Sequence, residues 1–327
     1  VALSSCEAEF MAATEAAKQT RHSFPAATSY RASKILELIH GDLCGPITPS
    51  TIGRNRYIFV LIDDYSRYMW SITLKEKGEA FEKFKRFKAL VERETGTPIK
   101  TLRTDRGGEF TSLEFQKFCE ESGIQRHLTA PYTPQQNGVV ERRNRTLLEM
   151  TRSILKYMEV PNYLWGEAVR HSTYLINRIA TKTLISQTPY EAFKGRKPNI
   201  IHLRIFGCVA YAKTEATNLK KLDNRSHTLV HLGTEPGSKA YRLFDPTRQR
   251  IVVSRDVVFN EDKAGEWNKT DRVVIEKPGE FKISLGNHVN QQEEKDNEST
   301  IDNQADITHE EDDTVEDDDS NHDDEEQ

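Results

Sequence analysis

The 327-residue chain is 36% hydrophobic, long enough for two domains with a buried core. Its longest apolar run is residues 58–62, far short of the roughly 20 residues that span a bilayer, so no membrane partner is expected. Its net charge of −5 averages two opposed regions: residues 291–327 hold 18 Asp and Glu against one Lys, net −17, leaving +12 on the other 290 residues.

A basic body with an acidic tail points to a polyanionic partner or a regulated surface. Cys6, Cys44, Cys119 and Cys208 form no C-x-x-C pair. A structural zinc site and a disulfide framework are therefore not expected. The first residues lack the basic-then-apolar pattern of a secretory signal. An intracellular protein, nuclear or cytoplasmic, is expected.

Residues 1–19 read as a short Ala-rich helix and 20–34 as a linker. ILELIHGDLCGP alternates and breaks at Gly45-Pro46, the pattern of a strand entering a turn. RYIFVLIDDYS is a continuous apolar run, fit for a strand buried on both faces, and YMWSITLK is its hairpin partner. Ala80, Phe84, Phe87 and Val91 recur at helical spacing until Gly96. PIKTLRTDRGGEF is a strand ending in a Gly-rich turn. A short helix follows with Ser112 as N-cap and Gly123 as stop. IQRHLTAPY is a strand and TPQQNG a polar loop. A long helix then buries Leu147, Thr151, Ile154 and Met158, and YLWGEAVRHSTYLINRI forms another.

This order predicts an α/β fold, a mixed sheet with flanking helices over residues 35–195. Residues 196–264 read as a small β module built from FGCVAYA, HTLVHLG, YRLFDP and RIVVSRDVVF. Residues 265–327 are predicted to be a disordered, acidic tail. Trp70 and Trp165 are expected in the core, and His40 and His127 as ordinary structural residues.

Three carboxylates stand at positions suited to chemistry. Asp42 and Asp105 end strands, and Glu141 opens the long helix. Loops at such places assemble active sites on rigid sheets. Three acidic ligands favour a hard cation, Mg²⁺ or Mn²⁺, and such cations suit phosphoryl chemistry. Taken singly, each acid is more at home as a cap or a turn residue. Asp63 and Asp64, which close the most apolar strand, compete for the same role.

HGDLCGP, LIDDYSR, LRTDRGGEF and PYTPQQNGVVERRNRTLLEMTRSIL resemble the integrase core of copia-type LTR retrotransposons. The 35 residues between Asp105 and Glu141 match that family's D,D-35-E spacing. The resemblance covers roughly residues 18–260. It implies an RNase H-like fold, with Asp42, Asp105 and Glu141 as catalytic and metal-binding residues for two Mg²⁺ or Mn²⁺ ions. It also implies 3′-end processing and strand transfer on element ends and target DNA by a homo-oligomer. The β module is similar to the SH3-like module of copia polyproteins. Asn137 and Gly138 would let a mobile loop approach the DNA backbone, while Arg142, Arg143, Arg145 and Arg152 would give the helix a basic flank for phosphates.

VALSSCEAEFMAATEAA resembles part of an RNase H domain whose partner strands are absent. It is expected to be a rearrangement scar that orphans Glu9. The family's His/Cys zinc module is expected to be missing upstream of the core. Two further readings therefore stand beside the transferase: a catalytically impaired or domesticated nucleic-acid-binding derivative, and a protein-interaction module.

Overall fold

The structure, a computed structural model, describes residues 31–128, 138–214, 220–267 and 282–283. The expected N-terminal helix, most of the linker, Asn137 and most of the expected tail, 265–327, lie outside these residues.

The first sheet holds β1 (Ile39–Cys44), β2 (Tyr57–Asp63), β3 (Met69–Leu74), β4 (Thr101–Thr104) and β5 (Gln125–Leu128), in the order β3-β2-β1-β4-β5. β1, β2 and β3 pair antiparallel, while β4 runs parallel to β1 and β5 parallel to β4. This is the mixed sheet that the element order predicts, as the RNase H-like fold implied by the resemblance requires.

β2 sits inside it, and its five apolar residues, 58–62, are wholly buried. Successive side chains of a strand point to opposite faces. Ile58, Val60 and Ile62 accordingly enter one hydrophobic cluster and Phe59 and Leu61 another. Each such side chain contributes about 1.5–3 kcal/mol when removed from water.

Helices cover both faces. α1 (Ala80–Thr95) buries Ala80, Phe84, Phe87 and Val91, and Gly96 ends it in the left-handed conformation at φ 66°. α2 (Leu113–Glu121) starts on Ser112, whose hydroxyl accepts from the Phe115 amide at 3.3 Å. These two helices join Phe59 and Leu61 in a core rich in phenylalanine. On the other face, α3 (Gly138–Tyr157) buries Leu147, Thr151 and Ile154, and Met158 is buried just past its end. α4 (Trp165–Ile176) follows. The Trp165 indole is fully buried and donates to the Pro49 carbonyl at 2.8 Å. Trp70 packs edge-on against Phe87 and Phe193. α5 (Pro189–Lys194) was not anticipated. A capping box between Thr188 and Glu191 opens it and Gly195, at φ 69°, closes it.

The second sheet holds β6 (Cys208–Lys213), β7 (Ser226–Thr234), β8 (Tyr241–Asp245), β9 (Arg250–Ser254) and β10 (Val257–Ala264), ordered β9-β8-β7-β6-β10 and antiparallel throughout. RIVVSRDVVF, expected as a single strand, is divided at Arg255-Asp256. Its first half pairs with β8, and its second crosses to β6 and runs on to Ala264. The crossing gives the five-stranded SH3-like module its second edge. Ordered structure continues past Ala264: Trp267 packs on Phe244, and residues 282–283 pair with Ile47–Thr48.

The two sheets share one core. α4 residues Val169 and Ile176 belong to the same cluster as Phe206, Val230, Leu232 and Phe244 of the β module. At the border the Arg242 guanidinium grips both Glu167 oxygens at 2.9 and 3.0 Å and reaches Glu235 at 2.6 Å.

Candidate active site

β1 and β4 are parallel neighbours, so their C-terminal ends lie at the same edge of the sheet. Asp42 stands near the end of β1 and Asp105 directly after β4. α3 brings Glu141 in its first turn. Asp42 is half-buried, Asp105 half-buried and Glu141 exposed.

The three acids feel one another. Burial pushes the Asp42 carboxyl up to about 7, and the charges of Asp105 and Glu141 push the same way. Desolvation also raises Glu141; Arg142 and Arg145 oppose it, and Asp105 adds to it. The arrangement is an electrostatic concentration of carboxylates on the sheet edge. It is not a closed cage: among the described residues no three His, Cys, Asp or Glu side chains stand close enough to hold a metal ion as they are. The donor set nonetheless suits Mg²⁺ or Mn²⁺. Mg²⁺ takes one or two carboxylates and keeps several waters, so a loose set of oxygens is the kind it uses. A cation would also relieve the part of the rise at Asp42 that Asp105 and Glu141 add to the effect of burial.

The rival acids have other work. Asp63 accepts from the Leu36 amide at 2.8 Å and from the Ser66 amide and hydroxyl at 2.8 and 2.6 Å. Asp64 accepts from the Ala32 amide, the His40 ring and Arg67 at 2.8, 3.0 and 2.9 Å. Both are buried. Their oxygens organise the turn after β2 and the segment entering β1. His40 is thereby a structural partner of Asp64, as its lone position on a strand suggested.

Two site residues escaped the sequence reading. Asn144 is 1% exposed and its amide donates to Asp42 Oδ2 at 2.5 Å. Arg126 lies over the Phe115 ring and donates to Thr104 Oγ1 at 3.2 Å and the Phe110 carbonyl at 2.9 Å. It thus brackets the Asp105 loop at both ends. A polar residue on the apolar stripe of α3, one turn past Glu141, was the available signal for Asn144.

The basic flank is narrower than expected. Arg142 and Arg145 are exposed beside Glu141, and the Arg142 guanidinium lies against Gly138. Arg152 is exposed on the same stripe, about 16 Å further along the axis. Arg143 does not join them. It turns to the opposite side of α3, half-buried, where desolvation and the neighbouring Arg67 hold its guanidinium down to about 10. Asn137 lies outside the described residues.

Residues 32–134 match the integrase core domain family, and residues 208–273 match the retroviral polymerase SH3-like domain family. The chain is 43% identical over 246 residues to the retrovirus-related Pol polyprotein from transposon TNT 1-94 of Nicotiana tabacum, covering 75% of this chain and 18% of the relative. It is 35% identical over 242 residues to the corresponding polyprotein from transposon RE2 of Arabidopsis thaliana, covering 73% and 16%. The chain thus spans less than a fifth of the length of these curated relatives. Among solved structures, a chain of the simian T-cell lymphotropic virus intasome in complex with PP2A regulatory subunit B56 gamma aligns with a TM-score of 0.44 at 18% identity, over 76% of this chain and 85% of that one. Among the described residues no helix is long and apolar enough to cross a membrane.

Proposed function

We propose that this chain, which belongs to the integrase family of copia-type retrotransposon Pol polyproteins, is a divalent-metal-dependent polynucleotidyl transferase acting on DNA. One observation carries the reading: two strand ends and a helix start gather Asp42, Asp105 and Glu141, so that the first is lifted to about 7 by burial and the other two. Carboxylates held against such repulsion suit a site made for cations.

Asp42, Asp105 and Glu141 would hold Mg²⁺ or Mn²⁺, two ions in the active complex, which would supply positive charge for the attacking and leaving oxygens. In end processing a water oxygen attacks a phosphodiester near the element end. The P–O bond to the 3′ oxygen breaks and that oxygen leaves as a free hydroxyl. In strand transfer this hydroxyl attacks a target phosphodiester, and the target's own 3′ oxygen departs. The chain's part is to hold the acids on a rigid sheet and to seat the DNA backbone. Arg142, Arg145 and Arg152 line one stripe of α3 and serve the phosphates, with Asn137 and Gly138 at its start. Residues 35–195 supply the chemistry, residues 196–264 the SH3-like support, and assembly of several copies places two ends on one target.

A nucleic-acid-binding derivative without catalysis is the second reading, favoured by the open arrangement of the acids. The full chain, given a pre-processed duplex end of its own element and supercoiled plasmid with Mn²⁺, distinguishes them. Joined product that a chelator abolishes supports the transferase. Plasmid binding with no joining in any divalent cation supports the derivative and overturns the transferase.

A further inference from the structure

We infer that Asn144 is a positioning residue of this site: its side-chain amide sets the orientation of the Asp42 carboxylate and ties it to the helix that carries Glu141. The inference rests on the proposed metal-dependent reading. Asn144 Nδ2 donates to Asp42 Oδ2 at 2.5 Å, bridging α3 and β1. The residue is 1% exposed, and its Oδ1 is buried with no partner among the described residues. A buried amide left half-satisfied is unfavourable. Its presence on the apolar stripe beside Val140, Leu147 and Leu148 is therefore not explained by packing.

Geometry supplies the explanation. Residues three apart on a helix share a face, so Glu141 and Asn144 move as one unit. The bond from Asn144 to Asp42 fixes the separation between the first and third acids, although they come from different elements. Left alone, Asp42 would swing away from its two like-charged neighbours, and the amide holds it against that repulsion. The choice of an amide matters. Lys or Arg at this place would neutralise Asp42 and compete with a cation for it, whereas Asn donates a hydrogen bond and leaves the negative charge available. Groups that orient ligands in this way typically alter metal affinity 10–100-fold when removed.

The experiment uses the full chain and Mn²⁺ alone as probe, followed by electron paramagnetic resonance without DNA, together with thermal melts in chelator. Asn144→Leu keeps the branched shape at a larger volume and removes the donor; Asn144→Ser loses volume and retains a donor. A positioning role predicts that Asn144→Leu weakens Mn²⁺ binding at least 10-fold, and that Asn144→Ser binds more tightly than Asn144→Leu even where its melt is lower. In joining assays the half-saturating Mn²⁺ concentration rises in Asn144→Leu while the plateau rate is regained at high Mn²⁺. If Asn144→Leu proves insoluble, Asn144→Ala against Asn144→Ser makes the same comparison of donor and no donor. Native-like binding by Asn144→Leu, with Asp42→Asn abolishing binding, would overturn the inference and leave the metal site standing. Native binding that Asp42→Asn does not touch would remove the metal site and the inference with it.

Discussion

Acidification should loosen the junction between the core and the β module through two buried histidines. His171 on α4 and His231 on β7 are both buried, with ring centroids 6.2 Å apart. His231 Nδ1 donates to the Ile205 carbonyl at 2.9 Å, while His231 Nε2 and His171 Nδ1 have no partner among the described residues. Burial holds His171 down to about 3 and His231 down to about 4; His231 adds to the effect on His171 and Arg204 to that on His231, against the bonds from His231 to backbone carbonyls. In the unfolded chain both titrate near 6.5. Below that value the unfolded state therefore binds more protons, and stability falls as pH falls. Each histidine removes about 1.4 kcal/mol per pH unit in that window, or about 2 kcal/mol between pH 7 and pH 5. Asp42, Asp63 and Glu141, whose carboxyls are raised, work in the opposite direction, so the whole-chain slope is not diagnostic. The difference between native chain and His171→Phe is. The substitution keeps a ring against Phe206, 5.3 Å away, and removes the titration. Urea unfolding at pH 7 and pH 5 should show His171→Phe losing about 2 kcal/mol less than the native chain. Equal losses would refute the claim that His171 is held neutral by burial.

Arg242→Met should destabilise the junction by about 2 kcal/mol, because Glu235 is left partly buried without its cation and Glu167 keeps only Arg170; unchanged urea midpoints would contradict this. Gly207→Ala should cost about 3 kcal/mol, since φ is +87° and the added Cβ would sit 2.6 Å from Met158 and Val160 side-chain atoms; a melt equal to the native chain's would show that this entry to β6 is not tight. Arg145→Ala and Arg152→Ala should each weaken binding to a random duplex at low salt and lower the salt slope by about one; fluorescence anisotropy with an unchanged slope would take that arginine off the phosphate path.

What could be read from the sequence followed from strong, local physics. The apolar run of β2 has no polar residue to offer a solvated face, so both faces had to be covered, and both are. The spacing of Ala80, Phe84, Phe87 and Val91 left one face for the sheet. Ser112 and Gly96 hold the cap positions their chemistry suits. α5 was passed over although TPYEAFKG carries Thr, Pro, Glu and Gly at the right offsets, because six residues are too few for periodicity to register. The division of RIVVSRDVVF depends on β10 finding β6, a pairing nearly fifty positions back in the chain that no local pattern encodes. Asp42, Asp105 and Glu141 were singled out as candidates by their positions and spacing, and the like charges of the other two act on Asp42. That Asp63 and Asp64 are spent on backbone amides and His40 was not legible, since the donors arrive from Ala32, Leu36 and Ser66 only after the turn folds. Arg143 misled for the reverse reason: two residues along a helix turns a side chain through about 200°, away from Glu141 and toward Arg67.

The separation of the two sets of acids gives the most direct test of the central claim. Strand joining with Mn²⁺ and the thermal melt in chelator should be measured side by side for Asp42→Asn, Asp105→Asn, Glu141→Gln, Asp63→Asn and Asp64→Asn. The first three should abolish joining and leave the melt within a few degrees of the native chain, with Asp42→Asn raising it because a carboxylate that is buried and repelled by Asp105 and Glu141 is removed. Asp63→Asn and Asp64→Asn should lower the melt, by an amount set by the amide bonds each acid accepts, while the folded fraction still joins DNA. Joining that survives Asp105→Asn, or that is lost with Asp64→Asn at an unchanged melt, would contradict the assignment.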